Sequence, residues 1–243
     1  MNKPLRLLFY DDTCRTSRYG VGLTHSWVTG ARFYHATGKF DATMGVRTWA
    51  EALGWLASVR ATEPIAEIQY WGHGKWGKLF IDRATLDAEV LQPAHEHHRL
   101  LQQIRERLVG PEALWWFRTC ETFGAVRGHE FARRWTDFFG CDAAGHTYII
   151  GPLQSGLHAL SPGGSPAWSA VEGIAHLARL EAYLSSLPGG LSAEPTLYQT
   201  WWDTTGARRL VTTTTCMPLS SVKVSGSNTT DSAGFPATAA TAR

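Results

Sequence analysis

The sequence predicts an α/β protein built on a mostly parallel sheet with helices on both faces. Three observations predict it. Apolar blocks of strand length recur at residues 5–10, 65–71, 114–119 and 141–150. Charged segments of helical period separate them. Adjacent tryptophans, Trp115-Trp116 among them, suit strands buried on both sides, because neighbouring strand residues face opposite ways. Strand and helix alternating in this way specify parallel pairing through right-handed crossovers.

The first block, Leu5-Arg6-Leu7-Leu8-Phe9-Tyr10, reads as a buried, central strand ending in Asp11-Asp12. Residues 13–22 are rich in Gly, Ser, Thr and Arg and read as a loop. Residues 23–36 read as a helix broken near Gly30. Residues 48–56 carry apolar side chains at helical spacing, and Thr48 with Glu51 three residues on makes a capping box. Pro64 closes the connection into the 65–71 strand. Two glycines around Lys75-Trp76 then suggest a tight turn into a small strand at 78–82, a hairpin flap. Residues 95–108 are helical, with Leu100, Leu101, Ile104 and Leu108 in one stripe, and Gly110-Pro111 stops them. Residues 128–139 form the next helix, with Phe131, Trp135 and Phe138-Phe139 inward and Gly140 placed for its C-cap.

Residues 151–168 are rich in Gly, Pro and Ser and read as one long loop, of a length that is usually functional or disordered. A helix at 174–184 and a hairpin from 197–202 and 209–215 complete the folded part. The expected boundary is a single domain over residues 1–218. Residues 219–243 hold almost no large apolar side chain and read as a disordered tail.

Composition narrows the function. The chain has 243 residues, enough for one ordinary α/β domain, and is 44% apolar. Its formal charge is only +2, with no Lys/Arg run, which argues against nucleic acid as the partner. No apolar stretch is long enough to cross a bilayer, and no signal peptide is evident, so a cytoplasmic protein with no membrane partner is expected. The four cysteines, Cys14, Cys120, Cys141 and Cys216, are scattered, with no C-x-x-C pair for zinc or redox chemistry. His95-Glu96-His97-His98 has no second ligand pair to complete a tetrahedron, so no metal is expected.

Two strands end in reactive residues. The 65–71 block runs into Gly72-His73-Gly74, and the 114–119 block runs into Cys120. Parallel strands joined by one crossover end at the same sheet edge, where α/β ligands bind. A thiol beside an imidazole is the minimum kit for a thiolate nucleophile. A following helix N-terminus lowers the thiol pKa, and the Gly74 and Cys120 amides form a candidate oxyanion hole. Glu121 is expected to point away, since a carboxylate aimed at the thiol opposes ionisation.

Hydrophobic block, His-Gly, spacer, hydrophobic block, Cys resembles the signature of caspase-like peptidases of clan CD. That group includes caspases, gingipains, clostripain, legumain, separase and the CHAT proteases. His73 and Cys120 stand 47 residues apart, near the roughly 50 typical of caspases. The resemblance covers about residues 5–150. Gly72-His73-Gly74-Lys75-Trp76-Gly77 is similar to the bacterial members. The animal pentapeptide Gln-Ala-Cys-x-Gly is absent; Arg118-Thr119-Cys120-Glu121-Thr122 stands in its place, so aspartate specificity is not implied. The resemblance implies a three-layer caspase-like sandwich, a His73/Cys120 dyad and peptide-bond cleavage through an acyl-enzyme without a cofactor. It also implies a protein or peptide substrate bound by loops after the first strand and after the Cys strands. Asp11, Asp12 and Trp168 are the candidate substrate contacts there, the aspartates for a Lys or Arg side chain; capping of their own loops is the competing role. An inactive caspase-fold module that binds a regulatory protein partner is the rival function, and a Cys-dependent acyl transferase or amidase is a third.

Overall fold

Apolar alternation on β1 (Leu5–Asp11) sends Leu5, Leu7 and Phe9 to one side of a sheet and Leu8 to the other. The structure, a computed structural model, describes residues 3–17, 20–150 and 155–173. After a two-stranded hairpin, β2 (Thr16–Ser17) and β3 (Gly20–Val21), the chain forms α1 (Thr24–Ala36), β4 (Ala42–Val46), α2 (Trp49–Ser58) and β5 (Ile65–Trp71). A small sheet follows, from β6 (His73–Lys75), β7 (Lys78–Ile81) and β8 (Ala84–Leu86). Then come α3 (His98–Arg107), β9 (Leu114–Arg118), α4 (Ala125–Phe139), β10 (Asp142–His146) and β11 (Leu157–Leu160).

Six strands form the central sheet in the order β11-β10-β9-β5-β1-β4. Every pairing is parallel except β10 with β11. The fold is therefore α/β with a mostly parallel six-stranded sheet and, among the described residues, four α-helices. Leu7, Phe9, Ile68, Tyr70, Trp115 and Phe117 share one core with the apolar faces of α2, α3 and α4. Leu8 and Trp71 point the other way and pack with Ala31 and Tyr34 of α1. Trp115 and Trp116 fall into separate clusters, as adjacent strand residues must.

Glu67 and Gln69 sit inside β5 because they satisfy one another. Arg6 donates to Glu67 (2.7 Å), Gln69 donates to Glu67 (2.6 Å), and the Trp71 indole donates to Gln69 (2.9 Å). Burying them costs little once each polar atom is bonded.

Several expectations need correction. β1 lies one strand in from the edge, because β4 pairs outside it. α1 is unbroken at Gly30, which is buried. α3 begins at His98 and α4 at Ala125, three residues from the expected starts. The 13–22 loop contains the β2–β3 hairpin, and the 151–168 loop contains β11. The predicted helix at 174–184, the hairpin at 197–202 and 209–215, the 1–218 boundary and the 219–243 tail lie outside the described residues.

Candidate active site

Register brings the two reactive residues to one edge. The last paired rung of β5 and β9 is Trp71–Arg118. His73 and Cys120 each follow that rung by two residues, so the chain turns from strand into site at the same level on both.

The backbone then fastens the two segments together. Trp76 and Gly77 both have positive φ, +47° and +78°, which makes the β6–β7 connection a two-residue primed turn. Its Trp76 N–H donates to Glu121 O and its Gly77 N–H to Thr122 O, each at 2.8 Å. On the far side, Glu121 N–H donates to Tyr148 O (3.0 Å) and Phe123 N–H to His146 O (2.9 Å). The Cys120 turn is thus held between the hairpin and the end of β10. A Cβ on Gly74 would collide with the hydroxyls of Thr119 and Thr122, which bond each other across the turn. Glycine is required there for the hairpin to lie against the Cys120 turn.

His73 is partly buried beneath α1, where its ring meets the edge of Trp27, centroids 5.4 Å apart at 75°. Burial lowers its pKa, and the Asp11 carboxylate partly restores it. Glu121 is buried, not turned to solvent; one carboxyl oxygen, Oε1, has no hydrogen-bond partner. Burial raises its pKa against the pull of Lys75 and the Trp76 indole. Its φ of +50° places strain beside Cys120, in a conformation non-glycine residues seldom adopt.

Of the expected substrate contacts, the two aspartates bond within their own loop and Trp168 bonds to the Cys120 turn. Asp11 is buried, and its Oδ1 accepts from Thr13 N–H (2.8 Å) and the Thr13 hydroxyl (2.5 Å). Asp12 takes both its bonds from Arg15 at 2.6 Å. Trp168 is a loop anchor: it stacks on Phe123 (5.6 Å, 6°) and on His158 (4.8 Å, 16°) and donates to Phe123 O (2.9 Å). That seats the 155–173 segment against the turn carrying Cys120.

Sequence reasoning missed Arg118, the one charge in the apolar 114–119 block, which was its signal. Its guanidinium lies between the rings of Trp71 (4.7 Å) and Trp116 (4.9 Å). It also missed Trp27 and Tyr70, whose hydroxyl donates to Phe80 O and holds β7 to β5. His95 and His97 approach to 5.3 Å, but among the described residues no three His, Cys, Asp or Glu could hold a metal ion. None of the helices in the described residues is long and apolar enough to cross a membrane. No protein-family model matches the chain, and no curated protein matches it.

Proposed function

We propose that this chain is a caspase-like cysteine endopeptidase of clan CD, a three-layer sandwich acting on protein or peptide substrates in the cytoplasm. The observation that carries the reading is the shared Trp71–Arg118 rung, from which His73 and Cys120 each emerge two residues on, with Gly74 packed against Thr119 and Thr122 of the Cys120 turn. In the reaction His73 takes the Cys120 proton. The thiolate sulfur attacks the scissile carbonyl carbon, and the electron pair moves to oxygen, facing the Gly74 and Cys120 amides. As the carbonyl re-forms, the C–N bond breaks and His73 returns its proton to the leaving amine. Water then hydrolyses the thioester to an acid and restores the thiol. No metal or organic cofactor takes part.

The β6–β7 ladder supports Gly74 as a donor. A two-residue turn makes Lys75–Lys78 the bonded pair, so Gly74–Leu79 is a non-bonded pair and the Gly74 N–H turns away from β7. One observation favours the rival reading, an inactive module that binds a regulatory protein: burial lowers the proton affinity of His73, which weakens a thiolate–imidazolium pair.

Iodoacetamide labelling of Cys120 against pH separates the two. A peptidase dyad gives rapid labelling well below the pH of an ordinary thiol, lost in His73→Ala, and cleavage of a peptide library that Cys120→Ala abolishes. Slow labelling indifferent to His73→Ala, with no cleavage, sinks the peptidase and leaves the binding module.

A further inference from the structure

We propose that Trp27 is a positioning residue for His73: its indole, delivered by α1, packs on the imidazole and holds it in the orientation that takes the Cys120 proton. This rests on the dyad reading above and names what aims its base.

The placement is built from the sheet outward. Leu8 and Trp71 point towards α1 and pack with its Ala31 and Tyr34. His73 is two residues on from Trp71, so strand alternation sends it to the same side. There its ring meets Trp27, centroids 5.4 Å apart at 75°. Trp27, Ala31 and Tyr34 fall at i, i+4 and i+7 of α1 and form one stripe towards the sheet. Ala31 and Tyr34 sit inside the cluster, and Trp27 packs against it from the rim. The start of the helix is tied to the end of β1. The Thr24 hydroxyl donates to Asp11 O (2.9 Å), and the Thr24 N–H donates to Cys14 O (3.0 Å). Thr24 is fully buried, and Trp27 follows it within one helical turn. The height of the indole above the sheet edge is therefore fixed from both ends, by Thr24 and by the stripe.

An imidazole turns about two side-chain torsions, and a base works only while its nitrogen stays within reach of the proton it takes. Catalytic histidines are commonly aimed by a hydrogen bond to the second ring nitrogen. Among the described residues the His73 ring makes no hydrogen bond, and its ring contact is with Trp27. The contact supplies the constraint by shape. Edge-to-face packing of two aromatic rings is a preferred geometry with a defined angle. The indole is broad and rigid, and it is half-buried against the Leu8–Trp71 cluster. It also carries no charge, so it holds the ring in both protonation states and leaves the proton free to travel between His73, the thiol and the leaving amine.

The test compares three variants of the full chain. Trp27→Ala removes the indole, and Trp27→Phe restores an aromatic ring. Tyr34→Leu removes another contact of the same stripe, about two turns from Trp27. The first readout is the His73-dependent part of Cys120 labelling by iodoacetamide across pH, each variant being measured with and without His73→Ala. Trp27→Ala is expected to cut that part at least about tenfold and Trp27→Phe to keep it within about threefold. Tyr34→Leu leaves it unchanged. The second readout is the NMR titration of the His73 ring, which needs no catalysis. Trp27→Ala admits water to the ring, and the midpoint rises towards the ordinary 6.5; Trp27→Phe holds it down. The proposal is overturned if Trp27→Ala keeps the full His73-dependent labelling, or if Tyr34→Leu loses as much as Trp27→Ala does. Should Trp27→Ala fail to fold by far-UV circular dichroism, Trp27→Leu is read by the same criteria. The two readings fail separately. Wild-type labelling that ignores His73 sinks the dyad, and the titration then decides on Trp27: a midpoint raised in Trp27→Ala and restored in Trp27→Phe keeps the indole as the holder of the ring, and an unmoved midpoint sinks it. Wild-type labelling that depends on His73 and survives Trp27→Ala keeps the dyad and sinks Trp27.

Discussion

Cys141 gives the measure of what burial does to a thiol in this protein. It is fully covered by the main core, and burial, with Asp142 beside it, pushes its pKa up to about 12, against a backbone hydrogen bond at Trp115. The thiolate is the nucleophile, so a thiol that ionises so far above neutrality is inert. Cys120 is half-buried, in a turn held by backbone hydrogen bonds on both sides. The folded chain treated with iodoacetamide at pH 7 therefore takes the label at Cys120 and none at Cys141. Adding urea to unfold the chain brings Cys141 to the rate of an ordinary thiol. Peptide mapping by mass spectrometry reads both sites, and labelling of Cys141 ahead of Cys120 in the folded chain would refute the assignment. The pair also marks what a sequence conceals: both cysteines stand beside apolar blocks, and only the end of the strand on which each falls separates them.

At the scale of elements, the readable ones carry their own signals. Thr48 accepts from Glu51 N–H at 3.1 Å to open α2, and Glu51 reaches back to Arg47 N–H at 2.7 Å, one residue earlier than the usual capping box. Thr48→Ala should cost about 1 kcal/mol in the stability obtained from urea unfolding; a change under about 0.3 kcal/mol would mean that packing of Trp49, Leu53 and Leu56 alone fixes this end. Gly140, at φ +63°, closes α4 as a left-handed cap, as its position after the apolar stripe requires. β5 and β9 were legible as mainly apolar blocks of strand length. β4 was not, since Ala42-Thr43-Met44-Gly45-Val46 has no run to read; its strand form comes from pairing with β1, and Gly45 is needed because the Tyr10 ring occupies the place of its Cβ. β11 was hidden in Gly/Pro-rich surroundings and exists through its ladder with β10. The site divides in the same way. The positions of His73, Gly74 and Cys120 just beyond β5 and β9 were legible because strand ends locate them. The partners of Asp11, Asp12 and Trp168 were not, because Thr13, Arg15 and Phe123 are chosen by loop conformation and tertiary packing.

For the molecule as a whole, buried titratable groups make stability depend on pH, and His146 sets the sharpest expectation. It lies fully buried at the end of β10, its Nδ1–H donating to Ser155 O at 3.1 Å, and its pKa is lowered to about 3, chiefly by burial, with Arg118 and His158 adding to the effect. In the unfolded chain it returns to the ordinary 6.5. Between those values the unfolded state holds a proton that the folded state refuses, so stability is intact above about pH 6.5 and falls as the pH drops towards 3. From pH 7 to pH 5 the loss from this one group is about 2 kcal/mol. His73 and His129, also lowered by burial, act in the same direction. Glu121 acts oppositely: its raised pKa means that the folded state holds the extra proton, and its contribution is lost as pH rises above the ordinary carboxylate range. His146→Asn keeps a donor for Ser155 and cannot be charged. Urea unfolding at pH 7 and pH 5 should therefore give a wild-type stability that falls by about 2 kcal/mol more than that of His146→Asn. Equal losses in the two proteins would place the acid sensitivity elsewhere. An excess loss in the wild type would make the carboxyl edge of the sheet, where His146 lies beside the strands that carry Arg118 and Cys120, the first part of the fold that acid works against.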